Sequence, residues 1–330
     1  MHRDIIVIGC SLGGVEALPQ LVVQLPKMDA AVFIVMHMWS TGRNPLLEIL
    51  RNPWFDIRTA TDGDRIKSGT LYLAVPDHHL LLDRDRVRLS RGPKESHARP
   101  SVDALFRSAA FAAGRRVIGI VLTGQLDDGT AGLWSVKDRG GVAIVQSPDE
   151  AAYPSMPRSA LDHVEVDGIW RLDEMPTRLK TLTQEQLPPE GSDAMADERL
   201  KTEVGIALED NALEQGVRDL GAPSFFTCPE CHGSMVLIKE GPIRRFRCHT
   251  GHAFSEAALA SHGLSAVEST LWSALAQLEE HYVLMQEVQG PMAEQSKETT
   301  DERSHRAQEV RSLMHRVRQL ALDEAFRSKP

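Results

Sequence analysis

Residues Asp4–Leu18 read D-I-I-V-I-G-C-S-L-G-G-V-E-A-L. Four consecutive apolar residues, Ile5 to Ile8, end abruptly at Gly9, and a segment with helical apolar spacing follows at once. That pattern predicts a buried strand, a sharp turn and a helix. Gly9, Gly13 and Gly14 are expected to supply the backbone freedom of the turn. Ser11 stands at its apex, inside a G-x-S-x-G, with the next helix beginning beneath it. Such a turn lifts a hydroxyl clear of the sheet and leaves helix N–H groups where an oxyanion would form. Glycine-rich turns also cradle phosphates, but this one has neither the lysine of a P-loop nor the spacing of a dinucleotide fingerprint.

Outward from this turn, strands and helices alternate to about Leu172. Ala31–Met36, Thr70–Val75, Val117–Leu122 and Val142–Val145 read as strands, and Leu80–Leu82 with Val87–Leu89 flank D-R-D-R as a hairpin. Pro45–Leu50, Ser101–Ala113 (Ser101 as N-cap) and Ala131–Arg139 read as helices. Alternation of this kind implies an α/β fold, a doubly wound and mostly parallel sheet with helices on both faces.

A net charge of −9 over 330 residues argues against a dedicated nucleic-acid binder. The longest apolar run, Ala30 to Trp39, is strand-sized and broken by His37, so no membrane span is expected. With no signal-peptide pattern at its start, the chain is expected to be cytoplasmic, and its four cysteines are not read as a disulfide framework.

In open α/β sheets, sites gather at the carboxyl ends of strands. Ser11 follows the first strand, His37 the second, and the Asp127-Asp128 pair follows Val117–Leu122. A hydroxyl, an imidazole and a carboxylate are what acyl transfer requires, with Ser11 Oγ in reach of His37 Nε2. Taken singly, His37 also reads as a buried structural histidine and Asp128 as a turn or helix-cap residue. The order Ser, His, Asp differs from that of α/β-hydrolases. His78 and His79 read as surface histidines, and Cys10 as packed under the turn. Arg99 and Asp103 read either as substrate contacts or as a salt link at a helix start.

Five segments together resemble the catalytic domain of CheB-type chemotaxis protein-glutamate methylesterases: I-V-I-G-C-S-L-G-G-V-E-A-L, V-M-H-M, R-P-S-V-D, V-L-T-G-x-x-x-D-G and M-P-R-S-A. The resemblance covers about Asp4 to Leu172. It implies hydrolysis of glutamyl methyl esters on the cytoplasmic helices of chemoreceptors, often with glutamine deamidation, and no catalytic cofactor. By motif it makes Ser11 the nucleophile, His37 the general base and acid, and Asp128, the aspartate immediately before glycine, the orienting carboxylate. The backbone N–H groups of Leu12 and Gln125 become the oxyanion donors. Three positions depart from the family pattern: Leu12 replaces threonine, Gln125 methionine and Leu126 glycine. The family's usual phosphoacceptor receiver domain is also missing from these residues, so gating by aspartyl phosphorylation in cis is not expected. Two other readings stand beside this one: an esterase or amidase acting on another protein, and a non-catalytic adaptor on the same fold.

Cys228-Pro-Glu-Cys231 is followed by Cys248-His-Thr-Gly-His252. C-x2-C with C-x3-H is structural-zinc spacing, and thiolates with one imidazole favour zinc. His252 is preferred as fourth ligand over His232 and His249, which sit directly beside a cysteine. Beyond it, Leu264, Val267, Leu271, Leu275, Leu278, Tyr282 and Met285 fall at helical steps, and a second run follows the Gly290-Pro291 break. The expected organisation is a catalytic domain at 1–183, a linker at 184–224, a zinc-ribbon-like module at 225–262 and a helical hairpin at 263–330. The hairpin's apolar stripe would serve internal packing, a dimer or a partner helix.

Overall fold

The computed structural model describes residues 1–37, 46–187, 198–208, 211–287 and 300–323. Pro45, residues 188–197 of the expected linker and the Gly290-Pro291 break lie outside them. Two compact units are present, Met1–Ala258 and Leu259–Pro330.

The first unit opens with β1 (Ile5–Cys10), α1 (Gly14–Gln24), β2 (Ala31–Met36), α2 (Leu46–Ile49), β3 (Asp56–Thr59) and β4 (Thr70–Leu73). The hairpin β5 (His79–Asp83) and β6 (Arg86–Ser90) is a separate antiparallel pair. Then come α3 (Val102–Ala113), β7 (Val117–Val121), α4 (Thr130–Asp138), β8 (Val142–Gln146), α5 (Ser155–His163), β9 (Gly168–Trp170) and α6 (Met175–Gln184). The main sheet has the order β3-β4-β2-β1-β7-β8-β9, and each of its pairings is parallel. Strand order reverses between β1 and β7, the place where such sheets open a crevice.

Side chains of β1 alternate between two cores, as the pleat requires. Ile5 and Val7 join a layer with Leu105 and Phe106 of α3, and Ile6, Ile8 and Cys10 join one with Leu18 and Leu21 of α1. The doubly wound α/β expectation therefore stands. The short edge strands β3 and β9 were not expected, because four- and three-residue segments carry little pattern.

The span read as a linker contains α7 (Glu198–Leu208), packed by Leu200 and Val204 into the α3 layer. Its charged and apolar residues alternate, so the polar ones hide the buried face in a composition reading. After α7 a four-stranded antiparallel sheet forms, β10 (Ala222–Thr227), β11 (Ser234–Glu240), β12 (Ile243–Cys248) and β13 (Ala253–Ser255). It belongs to the same compact unit as the parallel sheet rather than to a module of its own. The reason is a buried ion cluster. Glu95 and Arg107 from the first part, Glu203 of α7, and Glu240, Arg245 and Arg247 of the small sheet are all buried and paired with one another. Burial alone would raise the Glu203 carboxyl, but Arg245, Arg247 and Arg107 hold it well below its ordinary value.

α8 (Glu256–Glu287) carries the chain out of the first unit, and α9 (Thr300–Ala321) follows it. Within the second unit, Arg318 of α9 pairs with Glu279 of α8 at 2.5 Å, while Leu275 and Ala321 are buried. Among the described residues no helix is long and apolar enough to cross a membrane.

Candidate active site

Register places the first two groups. Cys10 and Met36 are the last paired rung of β1 and β2, so Ser11 and His37 leave the sheet side by side on the same face. That face is the α3 side, opposite the one Cys10 occupies. The Ser11 N–H donates to Thr123 O (2.9 Å), and the His37 N–H to Cys10 O (3.2 Å). Only Gly13 uses left-handed backbone in this turn, at φ 79°. Gly9 serves close approach instead, since a Cβ there would lie 2.0 Å from Val102 Cγ1. Gly14 does likewise, with Cys10 Sγ 2.6 Å from such a Cβ. The expectation of a turn loosened by three glycines is thus corrected to one flexible glycine and two small ones.

The side chains form an unbroken series. Ser11 Oγ lies 3.2 Å from His37 Nδ1, and His37 Nε2 lies 2.6 Å from Asp128 Oδ2. The imidazole therefore presents Nδ1, not the expected Nε2, to the serine. Asp128 is buried at the N-terminus of α3 and accepts from the Val102 N–H (2.8 Å), the Asp103 N–H (2.9 Å) and Ser101 Oγ (3.0 Å). Burial pushes its carboxyl up, but the His37 hydrogen bond and charge and the α3 amides bring it below the ordinary aspartate value. With every lone pair engaged, the carboxylate cannot rotate away from the imidazole. Asp127 turns elsewhere, accepting from Ser255 Oγ at 2.7 Å.

The loop after β7 closes on the serine. A Cβ at Gly124 would lie 2.9 Å from Ser11 Cβ and 2.0 Å from Met156 Sδ, so this position admits only glycine. The Gly124 N–H donates to Tyr153 O (2.9 Å) and Gly124 O accepts from the Met156 N–H (3.0 Å), which pins the loop against the M-P-R-S-A segment. Gln125 and Leu126 are exposed, and Leu126 takes the left-handed conformation at φ 58°. Leucine here holds a left-handed backbone shape that glycine adopts at no steric cost.

Two sequence readings need correction. His79 is not a surface residue: it is fully buried, accepts the Ser101 N–H on Nδ1 (3.3 Å) and donates from Nε2 to Pro93 O (3.0 Å). Burial lowers its pKa, in keeping with a ring whose Nδ1 must stay unprotonated. Arg99 and Asp103 do not pair with each other. Arg99 binds Asp77 through Nε (3.0 Å) and a terminal nitrogen (2.7 Å), whereas Asp103 accepts from Gly129 N (3.0 Å) and Gly132 N (2.6 Å). Neither link was legible in R-P-S-V-D, although a capped helix start is the signal from which an anchored carboxylate can be sought.

The cysteine cluster assembles from two turns of the small sheet. One ligand atom each from Cys228, Cys231, Cys248 and His252 lie within 4.8 Å of one another. Cys228 Sγ–His252 Nδ1 is 3.7 Å, Cys231 Sγ–Cys248 Sγ is 3.6 Å and Cys248 Sγ–His252 Nδ1 is 3.6 Å. A tetrahedron with metal–sulfur bonds of about 2.3 Å has edges of about 3.7 Å, so the donor set fits a four-coordinate metal.

A family model described as CheB methylesterase matches residues 6–179. This chain belongs to the CheB methylesterase family. It is 39% identical over 182 residues to protein-glutamate methylesterase/protein-glutamine glutaminase 1 of Geobacter metallireducens, covering 54% of this chain and 50% of that protein. It is 35% identical over 190 residues to a putative protein-glutamate methylesterase/protein-glutamine glutaminase of Leptospira interrogans, covering 57% of this chain and 98% of that one. The chain thus spans about half the length of the Geobacter relative and nearly all of the Leptospira one. The crystal structure of the Thermotoga maritima CheB methylesterase catalytic domain superposes with a TM-score of 0.50 at 27% identity, covering 55% of this chain and 100% of that one. The CheB family match ends at residue 179, before α7 and the cysteine-bearing sheet.

Proposed function

We propose that this chain is a serine esterase that hydrolyses glutamyl methyl esters, and the corresponding glutamine amides, on the cytoplasmic helices of chemoreceptors. The observation that carries the reading is the hydrogen-bonded series from Ser11 Oγ through His37 to Asp128. Ser11 Oγ attacks the ester carbonyl while His37 Nδ1 takes its proton. Asp128 fixes the tautomer with the proton on Nε2 and stabilises the imidazolium that forms. The Leu12 and Gln125 N–H groups meet the developing oxyanion. His37 then protonates the departing methoxide, and methanol leaves. Water, deprotonated by the same imidazole, releases glutamate and restores Ser11. A glutamine side chain follows the same path with ammonia leaving. The relatives' names, protein-glutamate methylesterase/protein-glutamine glutaminase, support the substrate class.

Cys228, Cys231, Cys248 and His252 are proposed to hold a structural zinc ion. Bound there, the metal would crosslink the two turns with its four positions filled by protein, leaving no open position for catalysis. A substrate on receptor cytoplasmic helices places the protein in the cytoplasm.

The experiment is methanol release from a radiomethylated chemoreceptor cytoplasmic fragment, comparing intact protein with Ser11→Ala. Release that falls by about 10⁶ in the variant is the expected result, since the nucleophile acts as one unit with its base. No release by folded, zinc-replete protein would defeat the substrate assignment and favour another ester or the adaptor.

A further inference from the structure

A run of buried groups joins the cysteine-bearing sheet to the site. Arg247 of β12, beside Cys248, is 1% exposed. One terminal nitrogen donates to Gly251 O (2.7 Å), inside the C-x3-H turn. The other donates to Glu95 Oε1 (2.8 Å) and Glu203 Oε2 (2.7 Å). Glu95 is also ion-paired to Arg107, one helical turn beyond Asp103, and an Arg107 nitrogen lies 3.9 Å from Asp103 Oδ2. Asp103 caps α4 while its own N–H, with that of Val102, holds Asp128.

Backbone and hydroxyl ties run parallel to this route. The Ser96 N–H donates to Ala253 O (2.7 Å), the Ala253 N–H to Lys94 O (3.2 Å), and Ser255 Oγ to Asp127 (2.7 Å). No charge in the cluster can shift without leaving a buried partner unpaired. An apolar core would join the same elements with less desolvation. What charges with directional hydrogen bonds add is a fixed geometry.

We propose that Arg247 is a positioning residue for Asp128, so that the cysteine-bearing sheet is a working part of the esterase site rather than an appendage to it. The inference rests on the triad reading above. A displacement of the 248–252 turn passes through Arg247 and Glu95 to Arg107 and the first turn of α3, and so to the carboxylate behind His37.

The test uses the full chain, wild type against Arg247→Lys and Glu95→Gln. Lysine keeps the charge but cannot fork to Gly251, Glu95 and Glu203 together. Two quantities are read: hydrogen–deuterium exchange across 101–106 and 127–132, and labelling of Ser11 by an alkyl fluorophosphonate. In that reaction the Ser11 Oγ–P bond forms, the P–F bond breaks, fluoride leaves, and His37 takes the serine proton.

Both variants should exchange faster in those two segments while β1 and β2 keep their protection. The maximal labelling rate should drop roughly tenfold or more with the half-saturating probe concentration unchanged, as misplacement of a catalytic group predicts. Unchanged exchange with labelling within about twofold of wild type would overturn the proposal. So would loss of protection across the whole parallel sheet in both variants, which marks a structural role alone. Wild-type protein that takes no label would sink the triad itself. Labelled protein that releases no methanol would sink only the substrate.

Discussion

Asp103 and Asp128 cap each other's helices. Asp128, just before α4, accepts the first N–H groups of α3, and Asp103, in the first turn of α3, accepts the Gly129 and Gly132 N–H groups that open α4. Each carboxyl satisfies donors that a helix start leaves orphaned, and each sits at the positive end of a helix dipole. Val102 fits between Gly9 and Gly129, where a Cβ on either would come within 2.8 Å of it. The two glycines let the helix starts close on β1. The carboxylate behind His37 is thereby part of the packing of two helices.

That arrangement separates the two adjacent aspartates. Asp128→Asn turns an amide NH2 toward donors and favours the wrong imidazole tautomer, so kcat should drop by about 10⁴ and stability by roughly 1–3 kcal/mol. Asp127→Asn keeps an amide oxygen to accept from Ser255 Oγ and loses only the charge, so it should keep kcat within about tenfold. Steady-state kinetics with thermal unfolding on the two variants checks the assignment, and equal losses would contradict it.

Leu126 offers a stability test. A left-handed leucine costs roughly 1–2 kcal/mol, and glycine there gives back part of this through its freer unfolded chain, roughly 0.4–1 kcal/mol. The side chain is 45% exposed, so little burial is lost. Leu126→Gly should raise the thermal midpoint by about one to three degrees with kcat nearly unchanged, and Leu126→Val should lower it. Differential scanning calorimetry on both variants decides.

Much of the site was legible because strand ends and turns are short-range features. Ala31–Met36 and the Ser101 cap of α3 are read from local pattern and stand as read. Register then follows: two buried parallel strands ending on one rung put Ser11 and His37 together. What stayed hidden depends on contacts distant in the chain. His79 precedes an apolar run in a polar turn, and only the loop at Pro93 and the start of α3 bury it. The polarity of α7 reads as solvent exposure until three arginines, two of them in the small sheet, surround Glu203. Which imidazole nitrogen meets Ser11 depends on side-chain geometry that no spacing encodes.

Acid should unfold the first unit through the same cluster. Glu95, Glu203 and Asp128 all have carboxyls held below their ordinary values by neighbouring arginines or, for Asp128, by His37 and the α3 amides. The unfolded chain therefore binds protons before the folded one does, so stability rises with pH through this range. Their contribution is complete above about pH 4.5 and lost as pH falls through the lowered values. Asp103 acts in the opposite sense. Burial, with the charge of Asp128, pushes it up to about 8. The folded state keeps a proton that the unfolded chain has released, and stability falls as pH climbs from about 4 toward that value. Thermal midpoints from pH 3 to 9 should peak in the mildly acid range, and Asp103→Asn should flatten the alkaline side. A profile unchanged by that substitution would contradict the assignment.

Removing the proposed zinc should be felt beyond the cysteine turns. Cys228 and Cys248 are buried, and the C-x3-H turn is held by the Arg247–Gly251 hydrogen bond. Without a shared ion the thiols regain protons and the two turns lose their only covalent-strength link, since the cysteines form no disulfide. Because the small sheet and the parallel sheet form one compact unit, chelation should lower the midpoint of a single cooperative transition. Purified protein should carry about one zinc per chain, and Cys248→Ser should reproduce the chelated midpoint without further loss on adding chelator. Elemental analysis beside calorimetry reads both. A second, separate transition that alone responds to chelator would show that the cysteine-bearing sheet unfolds independently of the site it touches.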